Sequence, residues 1–169
     1  MDHASVIHQL SENLPIFRQL FSGIQEDDLR WKPLPEKWCL LEVLCHLIDE
    51  EREDFRARVR HVLFSPDQPM PPIDPQGWVT ERKYMSRDFG EMLELFQEER
   101  QASIAWLQTL NDPHWKNTYR HPSLGTLSAE FFLANWLAHD YLHFRQITGL
   151  RHGLLQMKSG QDLSYAGNW

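Results

Sequence analysis

The sequence predicts an all-α fold, a four-helix bundle with a long crossover between its second and third helices. Two observations predict it. Four long segments carry apolar residues at helical spacing, and none reads as a convincing strand. A tract with five prolines in fourteen residues, Ser65 to Trp78, separates the second segment from the third and cannot continue a helix. Helices of about 20 residues are each roughly 30 Å long, which suits a bundle.

The first helix is expected from about Asp2 to Phe21, with Val6, Ile7, Leu10, Leu14, Phe17, Leu20 and Phe21 on its apolar side. Pro15 predicts a kink within it and Gly23 closes it. The second is expected from about Leu40 to Phe64, with Leu41, Leu44, Ile48, Phe55, Val59 and Val62 on one face. The proline-rich loop that follows is long for a compact domain. Such loops are often functional, and the plainer reading is a surface crossover. Its length lets the second and third helices be non-sequential neighbours or run parallel.

The third helix starts near Asp88, where Asp88 and Glu91 have the form of a capping box. It continues through Leu93, Phe96, Ile104 and Leu107 to Leu110, with Pro113 just beyond. The fourth opens after His121-Pro122-Ser123-Leu124-Gly125-Thr126, with Thr126 or Ser128 as cap, and is expected to end at Gly149. Residues 150–169 read as a tail whose Tyr165 and Trp169 pack back on the bundle. The whole chain, 1–169, reads as one domain.

Composition narrows the function. A net charge of −7 without a basic block repels phosphate backbones and argues against nucleic acid. No apolar run approaches the ~18 residues a membrane span needs. Two cysteines, Cys39 and Cys45, are too few for a disulfide framework and fit a reducing compartment. The first residues show no secretory signal, so a cytoplasmic protein is expected. Seven Trp and nine Phe are a heavy aromatic load, whose default use is core packing.

The chemistry lies in the histidines. His139 and His143 stand four residues apart, and imidazoles at that spacing can chelate one ion. With 9 His in 169 residues, chance alone supplies about 0.5 such pairs, so the pair needs a partner. At 100° per residue, Phe132, Trp136, His139, His143, Gln146 and Ile147 share one sector of the fourth helix, and Asp140 points away from His139. In the second helix His46 shares a face with Asp49, Glu50 and Glu53. That face lies opposite the apolar stripe, so periodicity alone leaves His46 in solvent beside a solvated charge run. His46 becomes a third ligand only if this face meets the fourth helix across a groove. His3, His8, His61 and His152 read as surface residues; His114 and His121 lie in the loop before the fourth helix.

Trp38-Cys39-Leu40-Leu41-Glu42-Val43-Leu44-Cys45-His46-Leu47, followed by His121-Pro122-Ser123-Leu124-Gly125 and then His139-Asp140 through His143 to Gln146, resembles the DinB/YfiT-like superfamily. The resemblance covers roughly Leu14 to Leu150, and its most specific part is this ordered combination. It implies a four-helix bundle, often a homodimer, holding a divalent metal on three histidines. Those ligands fall on His46, His139 and His143, with Gln146 in a supporting role. One departure is Cys39, where many relatives carry a Ser or Thr cap, which puts local helix stability in question.

Three neutral imidazoles would leave a divalent ion an open position for water or a thiol. Relatives include thiol transferases and isomerases that use low-molecular-weight thiols. The resemblance therefore implies a metal-dependent thiol transferase or hydrolase acting on a small molecule in detoxification or stress response, with Glu50 or Asp49 accepting a proton or orienting a ligand imidazole. Zinc or nickel is the expected metal, with iron or manganese next. The alternative is a non-catalytic dimeric bundle whose metal site is incidental.

Overall fold

A computed structural model describes residues 1–169. Helix α1 spans His3–Leu20, with the Asp2 carboxylate accepting from Ser5 N–H at its start. It runs through Pro15 without interruption, and Gly23 takes up a left-handed conformation (φ 68°) just beyond it. A short α2, Glu26–Leu29, interrupts the link to the second long helix. That helix is built of α3 (Leu40–Asp49), a π-helical segment (Glu50–Phe55) and α4 (Arg56–Phe64), so the expected span is continuous but not uniformly α-helical. Cys39 caps it without a hydroxyl; Glu42 accepts from the Cys39 N–H at 2.9 Å and supplies the reciprocal half of the cap.

The proline-rich crossover is not bare loop. Pro75 opens a short helix α5, Pro75–Glu81, where its missing N–H costs nothing. Helix α6 covers Phe89–Gln108, capped by Asp88, whose carboxylate accepts from Glu91 N–H. An antiparallel hairpin then appears that periodicity did not predict: β1, Thr118–His121, pairs with β2, Gly125–Ser128. Its strands are too short to show an alternating pattern. The Pro122–Leu124 turn ends at Gly125, whose φ of 81° favours glycine.

Helix α7 starts at the Ser128 cap and continues to Ser159, ten residues past the expected stop at Gly149. A lone helical glycine is tolerated; the true stop is Gly160, left-handed at φ 62°. The extension packs on the chain's first quarter. Arg151 donates to the carbonyls of Leu20 and Ser22, Lys158 reaches Asp28, and Gly153 lets the Trp31 ring approach. The expected packing of the tail is corrected in part: Tyr165 is fully exposed, while Trp169 stacks on His152 at 4.4 Å.

Side-chain contacts give the topology. Helix α1 meets α7 in step (His3 with Glu130, Asn13 with Asp140), so these two run parallel. The α3–α4 helix meets α6 in step, Glu51 with Arg100 and the Val59–Leu63 stretch with Ile104 and Leu107, and is also parallel to it. Across the pairs the sense reverses: Phe17 and Phe21 meet Phe96 and Phe89, and His46 meets His143 while Arg58 meets Phe132. Only a long crossover can join parallel neighbours, which is what the segment between α4 and α6 provides.

The core is two apolar clusters with a polar layer between them. One holds Leu10, Phe55, Ile104 and Trp136; the other holds Phe17, Ile48, Phe96 and Ile147. At their junction each long helix contributes one buried polar residue: Asn13, Glu51, Arg100 and Asp140. Arg100 donates to Glu51 at 3.0 Å, to both Asp140 oxygens at 2.8 Å and to the Leu10 carbonyl at 3.2 Å. Asn13 also donates to Asp140, and Trp136 Nε1 to Glu51. Removing one partner of a buried ion pair strands the others in low dielectric. Arg100→Met is expected to cost about 3–5 kcal/mol, read as a lower urea midpoint at unchanged slope. A midpoint shift worth less than about 1 kcal/mol would show that the layer behaves like a surface pair.

Candidate metal centre

The α3 helix is buried on every side from Cys39 to Glu51, because α5 covers the face that α6 and α7 leave open. His46 is therefore 6% exposed rather than solvated, its ring 4.7 Å from that of Trp38. The face that periodicity assigned to solvent instead meets α7 directly. His143 is buried on α7 and His139 half-buried one turn earlier, its ring 4.9 Å from Phe55.

The three rings turn their Nε2 atoms toward one another. His139 Nε2 lies 3.3 Å from His46 Nε2 and 2.9 Å from His143 Nε2. Nitrogens bound at 2.0–2.1 Å to one tetrahedral ion stand about 3.3 Å apart, so the spacing fits a shared cation. His46, His139 and His143 are grouped closely enough for one ligand atom from each to meet within 4.8 Å. Burial pushes the three imidazoles down, to about 3, 2 and 4 respectively, and their mutual proximity adds to the shift at His46 and His139. All three are thus neutral at pH 7, the form that ligates metals.

Behind them stands a carboxylate chain. Glu50 Oε1 lies 3.8 Å from His46 Nδ1, which has no hydrogen-bond partner of its own. Burial, then the charge of Asp54, pushes the Glu50 carboxyl up to about 9. Alone, Glu50 therefore holds a proton at pH 7; a nearby divalent cation would pull its affinity back down. Asp54 in turn pairs with Arg58. Asp49 sits differently. Tyr84 Oη donates to it at 2.5 Å, and Arg52 and Arg82 pair with it at 3.0 and 2.8 Å, so its carboxylate is committed away from the histidines. Glu53 is held by Arg82 as well. Asp140, expected to point away from the pair, belongs to the Arg100 layer.

Two open cavities meet at His139 and Leu142. One, of about 420 Å³, runs along α7 and reaches the hairpin, where His121 lines it. The other, about 530 Å³, touches all three histidines together with Trp38, Gln76, Arg145 and Gln146. Sequence reasoning missed Asp54, Arg58 and Trp38. The first two sit next to the charge run already singled out, but only the π-helical segment turns them toward the site.

The model of the DinB superfamily matches residues 9–147. Among solved structures the chain is similar to YfiT from Bacillus subtilis, described as a probable metal-dependent hydrolase with an unusual four-helix bundle topology. The TM-score is 0.78 at 22% identity, over 95% of this chain and 89% of that one. At this identity the likeness speaks for the fold. No curated protein matches the chain significantly. No helix is long and apolar enough to cross a membrane.

The buried histidines set a pH dependence. Their folded pKa values lie below the unfolded value near 6.5, so the unfolded chain binds more protons between about pH 4 and 6.5. Stability contributed by keeping them neutral is full above pH 6.5 and is lost as pH falls through that window. Glu50, raised to about 9, acts in the opposite sense there, one carboxyl against three imidazoles, while Glu51 is ion-paired with Arg100. Chelator-treated protein is expected to have a lower urea midpoint at pH 5 than at pH 7; a flat or rising midpoint contradicts the burial of the cluster.

Proposed function

The chain belongs to the DinB superfamily, and from that premise we propose that it is a metal-dependent enzyme acting on a small molecule, of the hydrolase or thiol-transferase type. The observation that carries this reading is the convergence of three neutral imidazole Nε2 atoms where two open cavities meet. A sealed site would suit a structural metal; an open one suits chemistry. The donor set fits a divalent ion, with zinc or nickel preferred for three imidazoles. The Nε2 atoms of His46, His139 and His143 face one another, and the Nδ1 atoms of His46 and His143 are buried without a hydrogen-bond partner.

His46, His139 and His143 would hold the ion. Bound there, it would lower the pKa of a water or thiol and so supply a nucleophile near neutral pH. The chain's own residues do the rest. Glu50 holds a proton at pH 7 and would become a proton acceptor once a bound cation lowers its affinity; its Oε1 lies 3.8 Å from His46 Nδ1. The Asp54 charge raises the proton affinity of Glu50, and Arg58 fixes the Asp54 carboxylate. Asp49 anchors the crossover through Tyr84 and Arg82 and takes no part in proton transfer.

Tag-free protein is expected to carry about one divalent ion per chain, measured by elemental analysis, and His143→Ala to lose it. Full occupancy in that variant sinks the assignment. Glu50→Gln should keep the metal while lowering turnover of ester or thiol-conjugation substrates by about 10- to 100-fold. Unchanged turnover there would remove Glu50 from the chemistry.

A further inference from the structure

The cavity that runs along α7 has a character of its own. Phe131, Phe132, Asn135, Ala138, His139 and Leu142 line it from one helix. These positions span twelve residues, or about 16 Å of helix axis. The opposite wall is apolar too, with Phe55 from the π-helical segment, Ile73 from the crossover and Leu127 from the hairpin. Phe131, Leu142 and Leu124 remain exposed, at 43, 48 and 66%, at positions that line the cleft.

The polar groups in this wall are turned to protein partners. Arg58 and Asp54 neutralise each other, and Arg58 donates further to Met70 Sδ. The Asn135 amide donates to the Phe131 carbonyl. His121 Nδ1 accepts from the backbone of Ser123 and Leu124. The cleft therefore offers apolar surface and no unpaired charge. An ionised group entering it would lose water and gain no partner, a costly exchange. An uncharged apolar group gains about 0.8 kcal/mol per buried methylene. The volume of about 420 Å³ lies in the range of small-molecule pockets.

We infer that this cleft is the substrate channel of the histidine centre, and that it selects an uncharged molecule with an elongated alkyl or aromatic body whose reacting end lies at His139. The inference rests on the proposed function, since it is His139 that joins cleft and centre. It adds what that function leaves open, the substrate class. The cleft's walls come from four separate parts of the chain, with the crossover contributing Ile73 and the hairpin Leu127. Crossover and hairpin thereby acquire a role in specificity.

The test uses the metal-loaded full chain and two fluorescent probes of one skeleton, neutral phenyl-naphthylamine and its charged relative anilinonaphthalene sulfonate. The neutral probe should bind saturably, about tenfold tighter than the sulfonate. Ala138→Trp, which fills the cleft from an exposed helix position, should weaken it at least tenfold. Leu124→Ser, at the exposed hairpin turn, should weaken it several-fold and guards against a folding defect in the first variant. Equal or tighter binding of the sulfonate, or indifference to both cleft substitutions, overturns the inference. A chain that binds the neutral probe as expected but holds no metal overturns the channel's link to a metal centre, and with it the proposed function, while the cleft's preference stands.

Discussion

One guanidinium ties the four long helices together. Arg100, on α6, is 1% exposed and contacts a carboxylate of the α3–α4 helix, a carboxylate of α7 and a backbone carbonyl of α1. Hydrophobic contacts alone would let these helices slide, because Leu, Ile and Phe surfaces are interchangeable over a turn. Bidentate Arg–carboxylate geometry is not interchangeable. A one-turn slip of any helix would leave a charge buried without its partner, at several kcal/mol. The polar layer therefore sets the level at which each helix meets its neighbours.

The histidine centre inherits that level. Asp140 follows His139 directly, so fixing Asp140 on Arg100 fixes where the α7 pair stands. Glu51 follows Glu50 and lies five residues after His46, so the same guanidinium fixes the other side. The π-helical segment makes this double duty feasible. Its wider turn lets adjacent residues face different neighbours: Glu50 turns to His46, Glu51 to Arg100 and Phe55 to Trp136. Such segments cost hydrogen-bond quality and are found disproportionately at functional sites. Here the segment lies between the structural layer and the histidine centre, and serves both.

Much of this was legible in the sequence, and the gaps have physical causes. The four long helices follow from 3.6-residue periodicity, and the His139–His143 pair from its spacing on one face. The resemblance, not periodicity, singled out His46 as the third candidate. A helical projection assumes one wet face, and α3 has none because α5 covers it. Glu51, Arg100 and Asp140 escaped for the same reason: a charged residue reads as exposed unless its partners are known, and those lie 40 or more positions away. The hairpin's four-residue strands are too short to establish a period. Gly149 read as a stop because glycine often ends helices, yet only the conformation at Gly160 distinguishes a true stop from a tolerated glycine. Asp49 and Glu50 looked equivalent on the helix face; Tyr84 and Arg82, brought in by the crossover, hold Asp49 and leave Glu50 beside His46.

The centre thus combines neutral imidazoles, a protonated carboxyl behind one of them and two cavities of different character in front. Each feature follows from burial, and burial follows from the register that Arg100 imposes. The most direct test is X-ray absorption at the zinc edge of zinc-loaded protein. Three imidazole nitrogens at about 2.0–2.1 Å with at least one further light atom from solvent is the predicted result. A sulfur neighbour at about 2.3 Å, or fewer than three imidazoles, would place the metal elsewhere and contradict the assignment of His46, His139 and His143.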